Sequence, residues 1–572
     1  MQFLTLRDLI LPPPLPALVA ILIALSAAAI ARTPAAFIVV IGCLAAIANA
    51  LPNLLALRIL AAAFIAAGVV SFLRRPVRWP ALKTWKTGAP LERVASIAIA
   101  TTILFLALAA LGPVTDPDSL DYHLGVPLAL LRHNGPVLQP HWLHARLTGL
   151  GEALNTLGLA AGTDCLGAVL QVSGLIAVMA ALAGFAKTPK DRIFGLLLAL
   201  PPALLPLATA QKPQLLPAAA LGIAMILALG AVSTWDFALV FGCIAFAAGS
   251  KYSFAVSGLI VAAVALFRAT KQKKLLPALG SAAIFLAIFQ VPFLLRNWNL
   301  YGDPVSPFLE SLRSRPDPEL TAFAAYLGDV GGPHTLDGIL AFLPHTVLPY
   351  GPGGIQTILG LGVIAIFLAP KRLIALPAGF AAVLLFTIWK GQMASRYLLE
   401  PFYWCAAAAV AAPWTKLKSA LFYALTLQTI GVAAMALFAA ALLFPGALTP
   451  GLRESVMRRY TFGYQQALWM DRVAPSGATI MVDSRAYALF PRPFLIPNCA
   501  SCGGAPLLDL LRPDDLKQPG LVLFPEYPIQ GNLPKNCRGR QIAGPETFPY
   551  AVRTPSVNSP TYQVIALVPD CK

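Results

Sequence analysis

The sequence predicts an all-α polytopic membrane protein of about 13 to 14 transmembrane helices, with a small C-terminal α/β domain on its outer face. Three observations predict it. Hydrophobic residues make up 58% of the 572 and charged residues only 12%, whereas about a quarter of a soluble domain is charged. The mean hydropathy is +0.73, and apolar runs near the roughly 20 residues that span a bilayer recur along most of the chain. Beyond about residue 445 that pattern stops, and Pro, Arg, Asp and Cys take over.

In order, the apolar runs cover residues 15–31, 35–51, 54–73 and 94–111, then 166–186, 193–208, 215–232, 237–248 and 254–267, and finally 275–295, 355–368, 373–389, 402–410 and 420–444. The first opens on Pro12-Pro13-Pro14 without a basic segment before it, so it reads as a retained span and not as a cleaved signal. The net charge of +17 forms no long stripe, and a nucleic-acid partner is not expected. The cations gather in short clusters instead: Arg74, Arg75, Arg78, Lys83, Lys86 and Arg93; residues 187–192; 268–274; Lys371-Arg372; and 416–418. With these spans all five clusters fall on one face, which the positive-inside rule makes cytoplasmic. The N-terminus then lies outside. The chain divides into N-terminal helices with a basic loop (1–93), a transmembrane module (94–444) with outer loops at 112–165 and 296–354, and the outer domain (445–572).

The outer domain is expected to hold a helix over 453–472 and short buried strands at 478–482, 521–524 and 562–568. Cys499, Cys502, Cys537 and Cys571 all fall in it. An even number in one polar segment points to two disulfides of undetermined pairing and to an oxidising compartment. A zinc knuckle is disfavoured, because the segment contains no histidine. The domain lacks a phosphate loop and a nucleophile elbow, so it is expected to serve structure or contact an acceptor.

Polar chemistry is concentrated in residues 112–151. Asp116, Asp118, Asp121, Tyr122 and His123 crowd eight positions directly after an apolar run, and four of the six histidines (His123, His133, His141, His144) lie here. One Asp would cap a helix and oppose its dipole; three with Tyr122 and His123 suggest a site. If a helix starts near Asp118, then Asp118, Asp121 and Tyr122 share a face. Such a carboxylate can take a proton from an attacking hydroxyl. Asp116 and Asp118 together can instead hold a divalent cation, the one cofactor the loop admits. His141 and His144, three apart, permit zinc, but no third ligand is evident, and hydrogen bonding to a substrate is preferred. A second, cationic group stands at predicted outer helix ends: Lys251, Arg296, and Arg396 beside Tyr397 with Lys390 before it. Cations on that side oppose the topology rule. Snorkelling to lipid explains one, whereas convergence with the acidic loop would bind a phosphate-bearing lipid.

These features, in this order, resemble the GT-C superfamily of polyprenyl-phosphate-sugar-dependent glycosyltransferases, in the group similar to glycosyltransferase family 39. The resemblance spans roughly residues 94–444. It rests on the acidic first outer loop, the Lys251-Tyr252 turn, Arg296-Asn297 followed by Tyr301-Gly302-Asp303-Pro304-Val305, and Arg396-Tyr397-Leu398-Leu399. Asp118-Ser119-Leu120-Asp121-Tyr122-His123 is close to an Asp-x-Leu-x-Tyr-His form of bacterial members. The resemblance implies inverting sugar transfer from a polyprenyl-phosphate donor to a glycan, lipid or protein hydroxyl, at the outer face of a bacterial inner membrane. Membrane lipids surround the protein and no nucleotide is needed. It puts the catalytic Asp at Asp118 or Asp116, with Asp118 preferred. It puts donor phosphate on Lys251 and Arg396; the reading of the helix ends adds Arg296, and Asp121, Tyr122, His123, His141 and Tyr397 are expected as substrate contacts. The chain departs from better-known members in lacking an Asp-Glu pair here and in its extra N-terminal spans. A flippase of lipid-linked saccharide and a noncatalytic assembly protein are the competing readings.

Overall fold

The computed structural model describes residues 3–571, apart from 76–88, 137, 139–140, 309–316, 318, 324–334, 350–357, 391, 483, 498–506, 517 and 550–560. Helices dominate, because Ala- and Leu-rich runs satisfy every backbone group internally. Leu215–Gly230 is central and packs on Leu166–Phe185, Thr234–Ser250, Ala255–Lys271 and Leu399–Val410. Pro90–Ala110 lies along Lys416–Leu443. Small residues let these helices approach closely: Gly222 abuts Tyr403, and Gly174 abuts Leu216. The helix Leu54–Arg74 buries few of its side chains within the protein.

Among the described residues five helices are long and apolar enough to cross a membrane: Leu54–Arg74, Pro90–Ala110, Leu166–Phe185, Tyr252–Lys271 and Lys416–Ala447. A pair bent by 42°, Leu275–Phe289 with Val291–Tyr301, makes up to six. Pro292, at the start of its second half, cannot donate back into the first. Five further apolar helices are 10–17 residues long. The run expected at 193–208 is instead two helices, Pro189–Leu198 and Leu204–Ala208, broken at Pro201-Pro202. The run at 402–410 is the helix Leu399–Val410, every residue of which is buried. Its 12 residues reach only about 18 Å, against a hydrocarbon core of about 30 Å. Such runs are apolar because protein surrounds them, and composition alone cannot tell that from lipid. The described part of the 355–368 run is a 3-10 helix, Gly360–Leu368.

The C-terminal region builds a six-stranded mixed sheet from β1 (Thr479–Val482), β2 (Phe494–Leu495), β3 (Leu521–Phe524), β4 (Glu526–Tyr527), β5 (Cys537–Pro549) and β6 (Thr561–Cys571). The order is β2-β1-β3-β6-β4, with β5 also on β6. Strands β2, β1 and β3 are parallel, and β3, β4 and β5 pair with β6 antiparallel. The three expected strands are present. The long β5 was not expected, because its exposed Arg, Gly and Pro residues carry no strand alternation. The helix expected over 453–472 is two, Pro450–Tyr460 and Tyr464–Val473, parted near Gly463 with φ +68°. Cys537 and Cys571 form a disulfide that joins the outer ends of β5 and β6. Cys499 and Cys502, and with them the second expected disulfide, lie outside the described residues, as do Arg78, Lys83 and Lys86.

The region docks on the helices through named contacts. Arg453 Nη2 is 2.6 Å from Asp164 Oδ2, Arg7 donates to the Tyr464 hydroxyl, and the Phe462 amide donates to the Thr115 carbonyl at 3.0 Å. At the base of the acidic loop, Gly149 crosses Gly249 so tightly that a Cβ would overlap the Gly249 carbonyl oxygen. Backbone cannot yield as a side chain can, so Gly149→Ala is expected to cost about 1–3 kcal/mol, read as a lower Tm of the detergent-solubilised protein.

Candidate functional site

The acidic loop folds around a π-helical turn, Ser119–His123, entirely buried. The Leu124 amide donates to the Ser119 carbonyl at 2.8 Å, closing the wider ring. The face sharing expected of an α-helix is therefore replaced by a turn with one extra residue, a device that recurs at functional sites. Asp116 starts it, its Oδ1 accepting the Ser119 amide at 2.9 Å. The second Asp116 oxygen has no hydrogen-bond or ion-pair partner among the described residues.

Asp118 is held from two sides. Lys212 Nζ lies 2.9 Å from Oδ2 and Arg485 Nη2 3.3 Å from Oδ1. Asp121 is used up in packing: its oxygens accept Trp142 Nε1 at 2.8 Å and Arg485 Nε at 2.7 Å, with His144 Nδ1 at 3.6 Å. Tyr122 is sandwiched between the rings of His123 and His144. His123 Nδ1 is 2.6 Å from Glu152 Oε1, and Glu152 Oε2 accepts the Gly149 amide. Burial pushes His123 below its ordinary pKa and His144 down to about 4, while it pushes the Tyr122 hydroxyl well up. At neutral pH this layer carries no imidazolium at His144 and no tyrosinate at Tyr122. It braces the turn.

Above the turn lies a cavity of about 250 Å³, lined by Asp116, Asp118, Lys212, Arg396 and His345 with apolar walls from Leu207, Phe342 and Met393. Lys212 sits where the chain breaks between Leu204–Ala208 and Leu215–Gly230. Burial lowers its pKa to about 8, Asp118 opposing the fall. Arg396 belongs to the 3-10 turn Ser395–Leu398 that opens the buried helix Leu399–Val410. Its Nε is buried without a hydrogen-bond partner among the described residues. Lys251 stands behind this wall: its ammonium donates to Gln214 Oε1 at 3.1 Å and lies 5.3 Å from the Tyr397 ring centroid, with the Arg396 guanidinium 5.1 Å from that ring. Gln214 Nε2 donates in turn to the Arg396 carbonyl. Burial alone would raise the Tyr397 pKa, but Lys251, Arg396 and Lys212 together bring it down to about 7.

Of the residues singled out from sequence, the cavity gathers Asp116, Asp118 and Arg396, with Tyr397 and Lys251 immediately behind. Asp121, Tyr122 and His123 lie beneath it. Two stand elsewhere. Arg296 donates to the Thr148 carbonyl at 2.8 Å and lines a separate, much smaller cavity with Trp142 and Tyr301. His141 contacts Glu319 and Arg512 at the junction with the C-terminal region. His141 and His144 thus point to different partners. Among the described residues no three His, Cys, Asp or Glu side chains are placed to hold a metal ion. Lys212 and Arg485 stand at the two Asp118 oxygens, which does not suit a divalent cation. The Lys390 side chain lies outside the described residues. Sequence reasoning missed Lys212, although Gln211-Lys212-Pro213-Gln214 is a polar island between apolar runs. It also missed Arg485, which no local pattern marks.

Residues 90–457 match the family model described as the DUF1420 N-terminal domain. The chain belongs to that family. Every side chain lining the main cavity lies within the DUF1420 N-terminal match, whereas Arg485 lies beyond it. No curated protein matches the chain.

Two outcomes follow from this geometry. An ultraviolet pH titration should reveal one tyrosine ionising near neutrality, and Tyr397→Phe should remove that component. Lys212→Met leaves Asp118 buried with one cation fewer, which should cost about 3 kcal/mol and show as a lower Tm.

Proposed function

We propose that the protein is a membrane glycosyltransferase that moves a sugar from a polyprenyl phosphate to an acceptor hydroxyl, with inversion. The observation that carries this is the single cavity in which Asp116 and Asp118 meet Lys212 and Arg396. An acid-base group and a phosphate-seeking cation in one pocket suit displacement at a sugar carbon. Asp116, with an oxygen unengaged, takes the proton as the acceptor oxygen attacks. Asp118, held by Lys212 and Arg485, keeps the turn and the ammonium in place. This inverts the preference for Asp118 drawn from the sequence alone. The bond from sugar carbon to phosphate oxygen breaks, and its electron pair leaves with the polyprenyl phosphate. Arg396, whose buried Nε awaits an acceptor, offers hydrogen bonds to that oxygen, and Lys251 and Lys212 add positive charge. The apolar walls suit the prenyl chain and the sugar's carbon faces.

The finer topology belongs to the same proposal. Some 13 to 14 apolar segments make up the N-terminal helices and the module at 94–444, and the short buried ones complete the site without each crossing the bilayer. The basic clusters at residues 187–192, 268–274 and 416–418 face the cytoplasm. The cavity and the domain from residue 445 face the outside of a bacterial inner membrane. The Cys537–Cys571 disulfide supports an oxidising compartment for that domain. The acceptor is a glycan, lipid or protein hydroxyl.

The test supplies membranes with polyprenyl phosphates bearing radiolabelled hexoses or pentoses. Asp116→Asn should cut transfer by roughly 10²–10⁴-fold, the usual weight of general base catalysis, and Asp118→Asn should also lose activity. Wild-type rates in both variants would refute the mechanism. Movement of the labelled lipid across vesicles with no covalent product would favour a flippase.

A further inference from the structure

We propose that Arg485, outside the family-matched segment, is a positioning residue that makes the C-terminal domain part of the catalytic unit. The inference rests on the glycosyl-transfer reading. Three strands of evidence converge on the loop. Arg485 Nε and Nη2 each lie 2.7 Å from Asp121 Oδ2, and Nη2 lies 3.3 Å from Asp118 Oδ1. The Tyr487 ring packs edge-on against Trp142 at 5.2 Å, and Trp142 donates to the other Asp121 oxygen. Upstream, the Thr461 hydroxyl donates to the Val114 carbonyl at 3.1 Å and the Phe462 amide to the Thr115 carbonyl at 3.0 Å. The C-terminal domain therefore grips the loop on both sides of Asp116.

Arg485 does not line the cavity, so it acts through the carboxylates it touches. Lys212 holds one oxygen of the Asp118 carboxylate. A second cation on the opposite oxygen fixes its plane, and the rigid guanidinium fork ties that plane to Asp121. Asp118 then holds Lys212 at the cavity wall, and the π-turn holds Asp116. A lysine at 485 keeps the charge but loses the fork.

The experiment compares Arg485→Gln, Arg485→Lys and Asp118→Asn/Arg485→Gln in membranes supplied with polyprenyl-phosphate-linked radiolabelled sugars, with Tm and elution profile confirming folding. Arg485→Gln should lower kcat roughly tenfold or more while the donor KM changes by less than about twofold, because orientation and not ground-state binding is lost. Arg485→Lys should fall between it and wild type. The double variant should be no slower than Asp118→Asn alone, since the two act as one unit. A folded Arg485→Gln with wild-type kcat, or a loss that multiplies with that of Asp118→Asn, overturns the proposal. Should Arg485→Gln fail to fold, Arg485→Lys decides: lowered kcat with unchanged donor KM supports it, and wild-type kcat overturns it. Wild-type membranes that transfer no sugar overturn the glycosyl-transfer reading itself, and this inference falls with it.

Discussion

A carboxylate taken out of water must be paired or it destabilises the fold, and the loop after Pro90–Ala110 buries three. Each takes at least one partner, at its own distance along the chain. Asp116 takes the amide of Ser119, three residues on. Asp118 takes Lys212, and both Asp118 and Asp121 take Arg485 from the C-terminal region. The architecture is arranged to deliver these partners. The break between the short helix Leu204–Ala208 and Leu215–Gly230 presents Lys212. The sheet presents Arg485 from the segment after β1.

The same rule operates at the far end of the helices. Lys418 is fully buried, yet its ammonium meets Asp191 at 2.9 Å and the carbonyls of Val410 and Ala412. Those carbonyls end the helix Leu399–Val410, where a cation also opposes the helix dipole. The other end of this helix carries Arg396 and Tyr397. A short buried helix is thus pinned at one end by an ion pair and offers its other end to the cavity. Packing explains why it need not be long enough to span a bilayer. Its task is to hold Arg396 on the wall of the cavity that Asp118 and Lys212 also line, with Lys251 and Gln214 supporting from behind.

The balance of charge shapes what the cavity can accept. Asp118 and Asp121 are paired with Lys212 and Arg485, so the Asp116 carboxylate and the Arg396 guanidinium are the lining charges turned to a ligand, with Lys251 behind them. Tyr397, between those two cations, adds negative charge only as its proton is lost near pH 7. Burial lowers the pKa of both His123 and His144, and at about 4 His144 is neutral near pH 7; the two rings act as spacers.

Much of this was legible in the chain. Apolar patterning located most of the helices and the short buried strands, in several cases to within a residue: the run at 15–31 is the helix Leu15–Ala31, and 521–524 is β3. Local density of polar residues marked Asp116 and Asp118, and cations at helix ends marked Arg396 and Lys251, because charge in an apolar chain is costly and therefore conspicuous. By itself the sequence determined the helical class, the acidic loop and the cations at helix ends near it. It did not determine which apolar runs meet lipid and which meet protein, since Leu399–Val410 is equally apolar in either setting. Nor did it determine that Arg296 braces Thr148 while Lys212 pairs with Asp118, or that Arg485 crosses from the C-terminal region to the loop. Those are pairings between residues about a hundred to several hundred positions apart. Only the tertiary structure decides them, because the energy of a buried charge depends on which partner lies within about 3 Å and not on its neighbours in sequence.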